Sequence, residues 1–313
     1  MPGTYGYADP LFLLIAALAL ESYIGRVGWL ARPFAGPRAW LVQHARSLEL
    51  RLNRAERHPA DRRWRGWLVV LVLLFLAWFV GWLLALFTRF YPFAWPLELL
   101  LLVLLLRQRR TWEEGNAVAR GQLQGDLQAA RAALTRLASG DLDPLVVTQL
   151  PRERLSSLAV TATARRLSDG LVSPVFSYVR LGPGGWALQQ VSLLLGRLFG
   201  GTALHEDGGS PPAAEFAEGA IRVARLLDWA PSQLSALLLI AARLSLPEPP
   251  LRAFKLGAGR RAWPERVLVA ALGPLPHDAV ALRRALLLFS RAAILQLLLL
   301  TLLLLLRLVA ASG

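Results

Sequence analysis

Trp67 to Phe87 reads W-L-V-V-L-V-L-L-F-L-A-W-F-V-G-W-L-L-A-L-F, a run without a single charged residue. A bilayer core of about 30 Å takes roughly 20 apolar residues at 1.5 Å of rise each, so this stretch is long enough to cross it. Ala292 to Ala311 is a comparably apolar run near the other end of the chain, with Arg307 its one charged residue. Phe93 to Leu106, flanked by Pro92 and Trp95, is shorter and is expected to extend upstream. Leu11 to Ile24 is a fourth candidate, with Glu21 near its end. It has no basic segment before it and no small-residue cleavage site after it, so it reads as a retained span rather than a signal peptide. These blocks are continuous instead of alternating at helix or strand period, which is the pattern of lipid burial. The expected fold class is an all-α integral membrane protein of about four transmembrane helices plus membrane-embedded or amphipathic cytoplasmic helices.

Composition points the same way. The chain has 313 residues, is 55% hydrophobic and carries a formal net charge of +14, with a mean hydropathy of +0.44. That is too apolar for a soluble domain and too charged for a compact bundle of spans. Cysteine is absent, which removes disulfides, thiolate metal sites and a cysteine nucleophile. The basic excess is arginine, with Lys255 the only lysine. Nucleic acid is not the expected partner, because the arginines flank apolar runs instead of forming one face. Ten of them fall between the first two runs, from Arg26 to Arg65, whereas only Arg89 separates the second from the third. The first connection therefore faces the cytoplasm and the second the exterior, and Arg107 to Arg136 and Arg260 to Arg291 return both flanks of the middle region to the cytoplasm. The domain reading is 1–111, a membrane region with three spans and an arginine-rich loop; 112–290, a cytoplasmic or membrane-embedded middle; and 291–313, a C-terminal transmembrane helix.

Within the middle region, Trp112 to Leu137 reads as one polar helix, with Leu123, Leu127, Ala130 and Leu134 forming a stripe that lies on another helix or on the membrane surface. Leu171 to Gly201 and Leu234 to Leu246 are apolar but interrupted, the first by Pro174 and Gly182-Pro183-Gly184-Gly185. Both read as embedded or re-entrant helices covered by protein. His205 to Ala214 and Leu246 to Pro250 read as loops.

Several acids are candidates for chemistry. Asp141 with Asp143, or Glu206 with Asp207, would supply the paired carboxylates that hold magnesium; solvated loop acids are the plainer reading. His205 beside them reads as a loop histidine. No phosphate-cradling glycine loop ending in Lys-Ser or Lys-Thr occurs, nor a Gly-x-Ser-x-Gly elbow. Asp169 is the most suggestive position, since Asp169-Gly170 immediately precedes an apolar, proline-bearing segment. Its carboxylate either caps that helix or works at the mouth of an embedded site, where an ionisable group is costly and therefore often functional.

In order along the chain, Leu123 to Leu134 reads L-x-x-D-L-x-x-A-R-x-x-L and leads to Gly140-Asp141; Asp169-Gly170 is followed by Pro174-Val175-Phe176 and Leu181-Gly182. Asp228 is followed by Pro231, Leu234 and Ser235, and Ala262-Trp263-Pro264-Glu265 by Ala270-Ala271-Leu272-Gly273. This succession resembles the CobD/CbiB superfamily of cobalamin biosynthesis, whose enzymatic branch is adenosylcobinamide-phosphate synthase. The resemblance implies a multi-pass protein of the bacterial inner membrane that condenses aminopropanol, or its phosphate, with adenosylcobyric acid. It implies ATP and magnesium as cofactors, a corrinoid substrate and the lipid bilayer as partners, and a homo-oligomer or other membrane proteins as further partners. The residues it singles out are Asp169, Glu265 and Asp228 as catalytic and Asp126 and Asp141 as metal-binding.

The departures are as specific. The family's E-N-T ahead of its V-D-G turn is here Arg165-Arg166-Leu167, which reverses the local charge, and its K-A-x-N-T-x-D-S-M segment is replaced within Gln189 to Leu198. The S-P-N before A-W-S-E is Gly259-Arg260-Arg261, and the acidic turn after the first span is Gly25-Arg26-Val27. A second branch of the superfamily, the membrane regulator associated with beta-lactamase induction, resembles this chain in Leu227-Asp228-Trp229 and in the very apolar C-terminal run. A non-catalytic regulator or sensor is therefore the alternative expectation, and a transporter is less favoured than either.

Overall fold

The computed structural model describes residues 9–24, 28–54, 56–106, 108–138, 144–203, 211–244, 263–272 and 279–312. All of their regular structure is helical. From the N-terminus these are α1 (Pro10–Ile24), α2 (Gly28–Leu52), α3 (Pro59–Phe90) and α4 (Trp95–Leu105). Next come α5 (Gln108–Gln124), α6 (Leu127–Ala138), α7 (Pro144–Gln149) and α8 (Arg152–Leu167). A π-helical turn, Ser168–Val172, leads into α9 (Ser173–Ala203), followed by α10 (Pro211–Leu244), α11 (Trp263–Leu272) and α12 (Ala279–Ser312).

Two helices, α3 and α12, are long and apolar enough to cross a membrane. The 32 residues of α3 rise about 48 Å, more than a bilayer core needs. Only 28% and 22% of their most apolar windows are buried within the protein, which is the reverse of a soluble core helix. The run at Phe93 is shorter than expected: α4 has 11 residues and does not extend upstream, because Tyr91 is extended (φ −111°) and Pro92 opens a single 3-10 turn.

The chain divides into two compact units, each assembled from separated stretches. The first is built mainly on Arg26–Glu98 and Pro174–Trp229. Its core joins Val70, Leu73 and Leu74 of α3 to Leu195 and Phe199 of α9 and to Phe216, Ala217 and Ala220 of α10. Phe199 and Phe216 meet edge to face, with centroids 5.3 Å apart, the geometry that ring quadrupoles favour. Two glycines let backbones touch here. A Cβ on Gly66 would overlap the carbonyl oxygen of Phe216, and one on Gly81 would lie 2.6 Å from the carbonyl of Pro183. That second contact seats the Gly182-Pro183-Gly184-Gly185 kink of α9 against α3, with Gly182 at φ 64°, a conformation open to glycine.

The second unit comprises Asp9–Gly25, Leu99–Ser173 and Ala230–Gly313. Here the single helix expected from Trp112 to Leu137 is instead a hairpin. Gly125, at φ 78°, ends α5, and the Asp126 carboxylate accepts the N–H of Ala129 at 2.9 Å to open α6. The hairpin buries Ala130, Ala133, Leu134 and Leu137, while Leu123 stays exposed. It packs on α8 and α12, and α11 packs on α8. The ends of α1 and α5 cap each other. Glu21 accepts the Arg109 backbone N–H at 3.1 Å, and the Arg109 guanidinium donates to the Tyr23 carbonyl at 2.6 Å. A carboxylate at a helix start and a cation at a helix end each favour the peptide dipoles.

Gly66→Ala is expected to cost about 1–3 kcal/mol through overpacking, lowering the thermal midpoint of the purified protein in detergent. Gly36→Ala, at an exposed helical position with nothing within 4 Å of its Cβ, should instead leave the midpoint unchanged or raise it.

Candidate functional site

The site is assembled in the second unit, where α8 passes through the π turn into α9. The Ser173 N–H bonds the Ser168 carbonyl across the turn, so the helical path is unbroken. Asp169 is half-buried inside this turn. No helix begins there, so the carboxylate does not cap a free N-terminus; it is carried on a π bulge, a feature enriched at functional sites.

The two arginines that precede it point to different partners. Arg165 Nε donates to Glu265 Oε1 of α11 at 2.8 Å, with side-chain exposures of 45% and 20%. Arg166 is buried and donates to the Leu137 carbonyl at 2.8 Å, satisfying the C-terminal end of α6. The packing of α11 on α8 thus brings Glu265 to Arg165, one turn before Asp169 in the π turn. Glu265 and Asp169 are two of the residues expected from sequence.

The others lie elsewhere. Asp228 is buried on α10 in the first unit, three residues before Pro231, which sits inside the helix. Asp126 is exposed and spends one oxygen on capping α6. Asp141, Asp143, Glu206, Asp207 and His205 fall outside the described residues, as do Gly259 to Arg261. Among the described residues no three His, Asp or Glu side chains gather as a metal would require. As arranged, Glu265 is neutralised by a guanidinium and would accept magnesium only if Arg165 swung away.

Sequence reasoning missed Glu98. It stands in the first turn of α4, 1% exposed, and receives the hydroxyl of Tyr178 in the first unit. The signal was available: it is the one acid inside the Phe93 to Leu106 run, where an ionisable group is unusual. The second unit also holds a half-open cleft of about 280 Å³ lined by Gln122, Leu123, Arg152, Glu153, Ser156, Ala279 and Val280, with Ser156 donating to Gln122 at 2.7 Å.

Residues 14–272 match the family model described as CobD/Cbib protein, so the chain belongs to the CobD/CbiB family. It is 28% identical to a cobalamin biosynthesis protein CobD from a Sinorhizobium species, over 75% of this chain and 69% of the relative. It is 26% identical to the cobalamin biosynthesis protein CobD of Rhizobium meliloti, over 85% and 81%. A probable cobalamin biosynthesis protein CobD of Methanothermobacter thermautotrophicus shares 28% identity over 40% of this chain and 38% of its own. No solved structure matches.

Asp126→Ala should cost about 1 kcal/mol of stability, the value of one N-cap, measured by denaturant or thermal unfolding. For the more exposed Arg165 and Glu265, a double-mutant cycle should give a coupling of only about 0.2–1 kcal/mol.

Proposed function

We propose that this CobD/CbiB-family chain is a cobalamin biosynthesis protein that works at the amide-forming step. There the amine of aminopropanol, or of its phosphate, is joined to a propionate carboxyl of adenosylcobyric acid. The observation that carries the reading is the Arg165–Glu265 contact, which brings an acid of α11 to the end of α8 that leads into the π turn holding Asp169, all inside the family match. Asp169 orients the incoming amine by accepting its N–H and takes the proton lost as the amide forms. Arg165, released from Glu265, holds substrate carboxylate or phosphate oxygens. ATP, with magnesium, supplies the activation of the carboxyl. On the residues described, no step by this chain's own groups runs through the metal.

The setting is the bacterial inner membrane, with the middle region on the cytoplasmic side. In this reading α3 and α12 cross the bilayer, α1 and α4, of 15 and 11 residues, are too short to cross it alone and enter it only partway, and further subunits or other membrane proteins pack around them. A second reading, a non-catalytic membrane regulator of the same superfamily, is favoured by one observation. Arg165 stands where the family's enzymes carry an acid, and it neutralises Glu265.

Complementation separates the two. A strain lacking the synthase and supplied with cobyric acid should grow with this gene and lose at least about tenfold in yield with Asp169→Ala, since one positioned acid or base contributes 10²–10⁴ in rate; Glu265→Ala should lower growth as well. Absence of growth despite verified membrane expression would sink the catalytic reading in favour of the regulator.

A further inference from the structure

Arg62, three residues after the Pro59 that opens α3, is the least satisfied cation in the first unit's described core. Its side chain is 6% exposed, and Nη2 lies 2.8 Å from Glu215 Oε2 of α10. That contact is close but misaligned, for Glu215 Oε2 accepts no hydrogen bond, and Arg62 Nε and Nη1 are shut off from solvent with no partner. A guanidinium offers five N–H donors; leaving charged donors unpaired in a buried place is unfavourable by more than an ordinary lost hydrogen bond. The neighbouring pairs do not relieve it. Glu218 is taken up by Arg63 and Arg222 instead, so neither it nor its partners supply the acceptors that Arg62 lacks.

The missing complement is an anionic oxygen. Glu215, which covers Arg62 on one side, is itself 21% exposed, so the guanidinium lies one side chain beneath the surface. Arg62 also stands five residues ahead of Trp67, where the apolar run begins; with α3 in the bilayer this is headgroup depth. We propose that Arg62 is the floor of a phosphate-binding site at the membrane surface, completed by Arg63 and Arg222. The phosphate is carried on an acidic phospholipid headgroup or is free in solution. Guanidinium groups are suited to such oxygens because several donors are held in one plane. The site is separate from the Asp169 chemistry and holds whether or not the chain is catalytic.

The test uses the full chain purified in a neutral detergent. Its thermal midpoint is followed while titrating inorganic phosphate in one arm, and phosphatidylglycerol against phosphatidylcholine in mixed micelles in the other. A rise with phosphate identifies a free phosphate group as the ligand, and a rise with phosphatidylglycerol alone identifies a lipid headgroup. Either rise should vanish in Arg62→Gln. Should that variant fail to fold, Glu215→Gln decides, because it keeps the cation and removes its competing acid. The apparent affinity for the active anion should then increase about two- to fivefold, the scale of one partly exposed charge. No rise in either arm, a rise that Arg62→Gln retains, or an affinity that Glu215→Gln leaves unchanged or lowers would overturn the proposal.

Discussion

A peptide group in hydrocarbon has no water to turn to, so every N–H and C=O that enters the bilayer must be bonded inside its own segment or beneath covering protein. That constraint bears on α3 and α12, the two helices long and apolar enough to cross a membrane, and in any helix it concentrates the difficulty at the ends. The structure answers with side chains. Glu21 takes an N–H at the start of α5 and Arg109 takes carbonyls at the end of α1. Asp126 opens α6, and Arg166 closes it from 29 residues away in sequence. The arginines that sequence reads as orientation signals are thus partly structural, their guanidiniums serving as caps for carbonyls that would otherwise be orphaned.

Helices that meet without room for side chains between them are held by close packing of their backbones. In the first unit this is done by removing side chains. Gly66 admits the backbone of α10, and Gly81 admits the kink of α9. Around these contacts the larger groups, Phe199 and Phe216 with Leu73 and Leu74, fill the space left between the helices. Ion pairs from Arg62 and Arg63 to Glu215 and Glu218 lie where α3 leaves the apolar region, and they fix which helices meet more than they stabilise the meeting.

The chemistry of the candidate site turns on charge. Glu265, on a helix that packs against α8, is neutralised by Arg165, four residues before Asp169. An exposed pair of this kind is weak, so it can yield to a substrate phosphate or carboxylate. It equally provides a stable resting contact for a protein that has given up the reaction. Both readings therefore centre on the Arg165 guanidinium.

Uninterrupted apolarity alone specified α3 and α12, and the glycine-proline cluster specified the kink in α9, because each follows from local backbone physics that needs no partner. The family and its acid-glycine turn were legible for the same reason, as short motifs in a fixed order. The break between α5 and α6 was also written locally, as Gly125 followed by Asp126, but a hydrophobic stripe running across it read as one helix. What no local pattern contains is the destination of a long side chain. Arg165 and Arg166 are adjacent and identical in sequence, and only the packing of α11 and α6 against α8 sends one to Glu265 and the other to the Leu137 carbonyl. Likewise the unpartnered donors of Arg62 arise only where α3 and α10 meet near Gly66, because burial there removes the water that would have satisfied them.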